Sequence, residues 1–396
     1  MIISKIAMVG QLDVIVNSFL KLSNNAYNSN NLLGDKSGVA LFLFYMYKLT
    51  ERDECNNKAF DLLEDVIDIQ EAYEIIPASV SKYGWLLNHL NKHGFIEAEV
   101  ADYFEEINLS LFEFMQRSLQ KDNYDFLHGS LGIAHYFLTV ENQTNKHFLM
   151  EFAGNFYKSA LQNENGGLKW ISVLDFDSKK KGYNISMSHG ISSIISVFSK
   201  IYSKGIEKGI TSRLVEGAVS YLLNQKLPPN QYNSIYPNFA LESTDKLHSS
   251  RLAWCYGDLG ISVALWHASQ ALGRKDWEQE AVDTILHASK RRGLVENGVV
   301  DAGLCHGTAG IAHIFNRMYG YTGLEELKEA SNYWFAETLK MARFEDGLAG
   351  FKAWQGNERG WVNEPGLLEG IAGIGLALIS AVSDIEPAWD ECLLLS

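Results

Sequence analysis

Residues 303–315 read GLCHGTAGIAHIF: a cysteine and a histidine side by side, a Gly-x-x-Gly, then apolar residues at helical spacing. After Gly310, the positions Ile311, Ile314, Phe315 and Met318 fall at i, i+3, i+4 and i+7, which is one face of a helix. The same grammar recurs in LHGSLGIAHYF from Leu127, SHGISSIISVF from Ser188, CYGDLGISVALW from Cys255 and LEGIAGIGLAL from Leu368. Their stripes are Ile133/Tyr136/Phe137/Val140, Ile194/Val197/Phe198/Ile201, Ile261/Ala264/Leu265/Ala268 and Ile374/Ala377/Leu378/Ala381. Two weaker copies lie upstream: GDKSGVALFLFYM (34–46) keeps the stripe, and SVSKYGWLLNHL (79–90) keeps Gly84 but loses the regular spacing. The second motif position thus falls at Gly38, Gly84, Gly132, Ser193, Gly260, Gly310 and Gly373, at intervals of 46 to 67 residues.

Each interval has room for a second helix. TSRLVEGAVSYLLNQ (211–225) aligns Leu214, Ala218 and Leu222, and EQEAVDTILHAS (278–289) aligns Val282, Ile285 and Leu286. The spacing predicts an all-α fold of seven helical hairpins, with apolar motif helices inside and more charged ones outside. Such a set stacks as an open solenoid or closes into a ring. In a ring, the Gly-x-x-Gly mouths would meet at one end, where glycine lets backbones approach closely. Six prolines in 396 residues permit long helices. Two stretches break the rhythm. Residues 166–183 (GGLKWISVLDFDSKKKGY) alternate like short strands, and 227–250 read as a long loop. Neither resembles a linker, so residues 1–396 read as a single domain.

Composition limits the function classes. A net charge of −14 offers no positive field to gather phosphates, which argues against a nucleic-acid partner. Four cysteines are too few for a disulfide framework and fit a reducing compartment. The N-terminal MIISKIAMVGQLDVIVNSF is interrupted by Asp13 and is not a signal peptide. Residues 366–383 are long and apolar enough to span a bilayer, but their glycines and their kinship with the other motifs favour a core helix. The expectation is a cytoplasmic protein without a transmembrane segment.

The residues just before each motif glycine carry the chemistry. They are Leu127-His128, Ser188-His189, Cys255-Tyr256, Cys305-His306 and Glu369. Two thiols and an imidazole, from Cys255, Cys305 and His306, suit Zn²⁺ and leave a fourth position open, as catalytic zinc sites do. Both cysteines precede helix starts, where exposed N–H groups and the dipole favour thiolate. Cys55 and Cys392 match no motif and read as core residues; His128, His135 and His313 read as core or polar-contact histidines. For His189 three roles stay open: fourth ligand, acid–base group or mouth hydrogen-bonder. Arg251 either holds an anionic intermediate or pairs with a carboxylate, and Asp125 either orients a histidine or caps a helix.

NISMSHG, RLAWCYGDLG, GLCHGTAGIAHIF and GLLEGIAGIGLAL resemble the signature blocks of the lanthionine synthetase C-like family, and the resemblance runs along essentially the whole chain. It implies an α/α toroid with zinc on Cys255, Cys305 and His306. It further implies catalytic roles for His189, Asp125, Arg251, Tyr256 and His306. By the same resemblance, a zinc-bound peptide thiolate adds to dehydroalanine or dehydrobutyrine, His189 or His306 supplies or relays the proton to the enolate with Asp125 tuning His189, Arg251 stabilises the developing negative charge, and a (methyl)lanthionine thioether results. The implied substrate is a dehydrated precursor peptide with its leader. A separate dehydratase and an exporter would be partners and would hold the enzyme at the membrane periphery. Ser193 and the eroded second copy depart from the pattern without touching a ligand. Three other readings stand beside this one: addition of glutathione or another small thiol to dehydrated sites, a non-catalytic zinc scaffold, and an unrelated toroid glycosidase. The last would need a carboxylate pair at the mouth, where only Glu369 stands.

Overall fold

The computed structural model describes residues 5–23, 36–72, 77–97, 100–175 and 179–396. Residues 1–4 of the N-terminal stretch, Gly34 and Asp35 of the first weak copy, and 176–178 of the strand-like insertion lie outside the described residues. In chain order the helices are α1 (Lys5–Lys21), α2 (Lys36–Thr50), α3 (Asp53–Ala72), α4 (Pro77–Lys92), α5 (Val100–Gln120), α6 (Ser130–Thr139), α7 (Gln143–Lys158) and α8 (Ile191–Ser203). They continue as α9 (Lys208–Leu223), α10 (Asp258–Leu272), α11 (Lys275–Ser289), α12 (Thr308–Thr322), α13 (Glu325–Lys340), the single turn α14 (Gly356–Arg359) and α15 (Ile371–Val382). Three two-stranded antiparallel ribbons complete the set: β1 (Leu161–Gln162) with β2 (Leu168–Lys169), β3 (Ser172–Asp175) with β4 (Lys180–Gly182), and β5 (Ala353–Trp354) with β6 (Trp361–Val362). The insertion expected at 166–183 is therefore real, and its β3–β4 ribbon carries a bulge between Val173 and Asp175.

The chain divides into two compact units. One comprises residues 1–97 and 292–396, the other 98–291. In the first, α12, α15, α2 and α4 are successive neighbours; in the second, α6 packs on α8 and α8 on α10. Within each unit the motif helices are the buried ones, as the stripes require. Ile191 through Ser199 of α8 are all buried, as are Ile371 through Ile379 of α15. Their partners are amphipathic: α13 buries Leu327, Ala330, Ser331, Trp334, Phe335 and Thr338 at helical spacing and exposes its charges. Among the described residues no helix is long and apolar enough to cross a membrane; within 366–383 the helix is α15, Ile371–Val382, a core helix buried from Ile371 through Ile379.

The local wiring explains the Gly-x-x-Gly. The first glycine is the N-cap of its helix in α6, α8, α10, α12 and α15, and none of these caps uses a side chain. Instead the preceding loop folds back over the helix start. Ser130 N–H donates to Asn123 O, Ile191 to Asn184, Thr308 to Asp301 and Ile371 to Glu364. In α12 the next two N–H groups, of Ala309 and Gly310, are taken by Ala302 O and Gly303 O. The orphan donors of the first turn are thus satisfied by backbone. This corrects one expectation: the N–H groups that start α12, behind Cys305, are not exposed to stabilise a thiolate.

The second glycine follows from the same fold-back. A Cβ on Gly132, Gly260, Gly310 or Gly373 would collide with the carbonyl oxygen of Phe126, Trp254, Leu304 or Leu367, in each case six residues earlier. Gly84 departs from the rule because it sits inside α4, which begins at Pro77 without such a mouth.

Candidate active site

In the second unit the turns before α6, α8 and α10 assemble Asp125, His189, Arg251, Cys255 and Tyr256. Asp125 Oδ1 accepts N–H bonds from Leu127 (2.7 Å) and His128 (2.9 Å), which pins its carboxylate across its own turn. Its Oδ2 meets His189 Nδ1 at 2.5 Å. Of the two alternatives for Asp125, the contact with His189 favours the orienting one; Asp125 does not cap α6, whose N-cap Gly129 has no side-chain hydrogen bond, and instead holds its own turn. Burial opposes ionisation of Asp125, but hydrogen bonds from His128 and His189 outweigh it and hold the carboxyl well below the usual carboxylate range. Burial also disfavours the His189 imidazolium. The Asp125 hydrogen bond and charge, with a smaller contribution from Cys255, prevail and raise its pKa above that of an ordinary histidine. The Asp125 contact thus engages Nδ1 of His189 and stabilises the charged form of its ring.

The His189 turn is locked to the Cys255 turn. Met187 N, Ser188 N and Ser188 Oγ all donate to Cys255 O, at 3.1, 3.4 and 3.3 Å. Tyr256 stands next to His189, ring centroids 6.1 Å apart, and its hydroxyl accepts from Asn184 Nδ2 at 3.4 Å. Burial pushes the Tyr256 phenol up, so it stays a neutral O–H donor at neutral pH. The exposed Arg251 lays its guanidinium 6.0 Å from the Tyr256 ring centroid. Among the described residues no carboxylate forms a salt bridge with it, which favours the anion-holding alternative.

In the first unit, Cys305 and His306 stand on the turn before α12. Leu304 N and Cys305 N both donate to Leu368 O at 2.9 Å, in the register by which the His189 turn binds Cys255 O. Cys305 is nearly buried, and the His306 side chain is 18% exposed, which leaves its ring reachable. Its Nε2 faces Asp301 Oδ2 at 3.7 Å. Asp301 is buried and fixed by N–H bonds from Gly303 (3.1 Å) and Trp354 (2.9 Å). Glu369 is half-buried on the neighbouring turn, its backbone against Gly303.

Asp301 and Asn184 were missed from sequence, although a signal for them exists. Asn123, Asn184, Arg251, Asp301 and Glu364 each lie six residues before an N-cap glycine. Asn184, Asp301 and Glu364 use the side-chain oxygen to accept the N–H two residues on. Arg251 cannot accept, so it is the member of that row released for another task. The bland assignments mostly hold. Cys55 and Cys392 are core residues, and His313 is a buried polar-contact histidine bonded to Asp390 and Ser380. His128 touches Asp125, but its side chain is 68% exposed.

The sequence pattern of the lanthionine synthetase C-like protein family matches residues 27–394, nearly the whole chain. The chain belongs to that family. Its relatives include the nisin biosynthesis protein NisC of Lactococcus lactis subsp. lactis, 25% identical over 350 residues, which cover 79% of this chain and 72% of NisC. Among solved structures, a nisin cyclase superposes with a TM-score of 0.74 at 16% identity, over 93% of both chains. That likeness establishes the fold class of this lanthionine synthetase C-like protein as the all-α, α/α toroid.

Proposed function

We propose that this chain, one domain over residues 1–396, is a zinc-dependent lanthipeptide cyclase that adds peptide cysteine thiolates to dehydroalanine or dehydrobutyrine. The observation that carries the reading is the 2.5 Å His189–Asp125 dyad, set beside Tyr256 and an unneutralised Arg251. The similarity to NisC and to a nisin cyclase supports the substrate class.

The donor set fits zinc. Cys255, Cys305 and His306 supply two sulfurs and one imidazole, each from a turn whose backbone is already fixed by hydrogen bonds. Bound there, Zn²⁺ would lower the pKa of a substrate thiol and so supply thiolate at neutral pH. The chain's own residues do the rest. As sulfur bonds to the β-carbon, the C=C pair moves onto the α-carbon and its carbonyl, and that carbon then takes a proton. His189 holds this proton at Nε2, because Asp125 occupies Nδ1 and stabilises the charged form. Of the two candidate histidines, the dyad favours His189 as donor, and His306 serves as ligand. Arg251 and the Tyr256 hydroxyl stabilise the developing oxyanion. A dehydrated precursor peptide with its leader is the substrate. This reading places a separate dehydratase upstream, an exporter as a further partner, and the enzyme in the cytoplasm beside them.

The test uses the purified chain and a dehydrated, cysteine-containing precursor. Cyclisation does not change mass, so thiol alkylation followed by mass spectrometry counts the rings. Loss of alkylatable thiol with wild type, and retention with His189→Asn, is the expected result. Glutathione adducts without ring formation would replace this reading with small-thiol addition. No consumption of either thiol would leave a zinc scaffold.

A further inference from the structure

The dyad has a third member that the proposed chemistry does not use. The Asp125 carboxylate lies between two imidazoles: His189 Nδ1 is 2.5 Å from Oδ2, and His128 Nδ1 is 3.5 Å from Oδ1. The two rings are nearly parallel, with an interplanar angle of 10° and centroids 6.2 Å apart. One ligand atom from each of the three residues lies within 4.8 Å of the others. We propose that Asp125, His128 and His189 form a second divalent-cation site, distinct from the cysteine-containing set, and that its occupation switches the dyad off.

The donor chemistry specifies the ligand class. Two imidazole nitrogens and one carboxylate oxygen suit Zn²⁺ and its first-row neighbours rather than Mg²⁺ or Ca²⁺, which prefer all-oxygen shells. The carboxylate is preset for such a role. The Leu127 and His128 N–H groups fix Oδ1, in the way that hydrogen bonds behind a ligand set its orientation. Against burial, the His128 and His189 side chains favour its charged form. His128 provides the entrance. At 68% exposed its side chain is free to turn inward, whereas Asp125 and His189 are only 15% and 27% exposed.

Binding releases the proton that His189 Nδ1 shares with Asp125, since a metal ligand must present a lone pair. His189 then carries no exchangeable charge. The device makes activity rise with zinc while the cysteine set fills, then fall as zinc reaches the dyad. Three donors without sulfur bind more weakly than the cysteine set, which separates the two events.

The effect on turnover rests on His189 being the proton donor; the binding itself does not. The experiment therefore reads both. Full-length protein carrying one zinc is titrated with ZnCl₂ by equilibrium dialysis, for wild type, His128→Ala and His128→Gln. Wild type takes a second equivalent and both variants lose it, while both still form thioether at stoichiometric zinc. Co²⁺ in place of zinc perturbs the His128 and His189 ring signals of wild type in NMR spectra. Excess zinc inhibits wild type, dilution reverses the inhibition, and the variants are insensitive. A wild type that takes no second equivalent, or variants that keep it, overturns the proposal. A second equivalent that depends on His128 but leaves turnover untouched upholds the site and removes His189 from the proton transfer.

Discussion

Replacing Asp125 by asparagine isolates the charge in the dyad. The asparagine Oδ1 can still accept from Leu127 N and His128 N, so the turn survives. What is lost is the carboxylate at 2.5 Å from His189 Nδ1. A hydrogen bond to a charged group contributes about 1.5–3 kcal/mol net. At roughly 1.4 kcal/mol per pKa unit, the His189 pKa should fall by about one to two units. The direction matches the physical cause, since Asp125 is what raises this histidine against burial. Activity that needs the imidazolium declines as pH rises through that pKa, so the alkaline limb of kcat/KM should move to lower pH by the same amount. Stability follows the same sign. Because the folded pKa of His189 is raised, its contribution is complete below the unfolded histidine pKa and disappears as pH rises through the folded one. Asp125 contributes above the unfolded carboxylate pKa and loses that contribution as pH falls through its depressed one. The stability gap between wild type and Asp125→Asn should therefore be widest at mildly acidic pH. NMR titration of the His189 ring, beside the rate profile, is the assay. An unmoved pKa and an unmoved alkaline limb would refute the dyad as the source of the proton donor's charge.

Three further outcomes follow from the wiring of the mouths. Gly310→Ala drives a Cβ onto the Leu304 carbonyl and should cost about 1–3 kcal/mol or more, while Gly320→Ala, on the exposed face of α12 with nothing nearby, should gain about 0.5–1 kcal/mol; paired thermal denaturation checks both. Asp258→Asn leaves Arg291 as an uncompensated buried charge and removes the anionic anchor of Ile235 and Tyr236. It should cost about 3–5 kcal/mol in denaturant unfolding, an effect that a silent substitution would disprove. Asp301→Asn weakens the partner of His306 Nε2 and should lower zinc affinity about 10–100-fold in chelator competition without unfolding the chain; unchanged affinity would show that Asp301 serves only its turn.

The helices were legible because their signal lies in side chains. The stripes after Gly132, Ser193, Gly260, Gly310 and Gly373 are apolar at every core-facing step, and each one became a buried helix. The strand-like run at 166–183 was visible through alternation for the same reason. The fold-back loops were not. Their hydrogen bonds join backbone to backbone, as in Thr308 N to Asp301 O, and such bonds leave no residue type behind except the glycines they need. This is why the N–H groups behind Cys305 were expected to be open. Asp301 escaped notice although its place six residues before Gly307 repeats in the other motifs, because the bonds that give that spacing its meaning are made to backbone N–H groups. The division into two units is equally silent in the sequence, because the first unit joins segments from the two ends of the chain. The dyad was legible through the family resemblance, which implied that Asp125 tunes His189; what coordinates add is the 2.5 Å contact between Nδ1 and Oδ2 across 64 positions.

The central claim is that Cys255, Cys305 and His306 hold one zinc that the chemistry needs. Elemental analysis of the purified chain tests it, on wild type and on Cys305→Ala, with circular dichroism confirming that the variant is folded. The account predicts about one zinc per wild-type chain and loss of it in a folded Cys305→Ala. A wild type without zinc even after reconstitution, or a variant that keeps its metal, would contradict it.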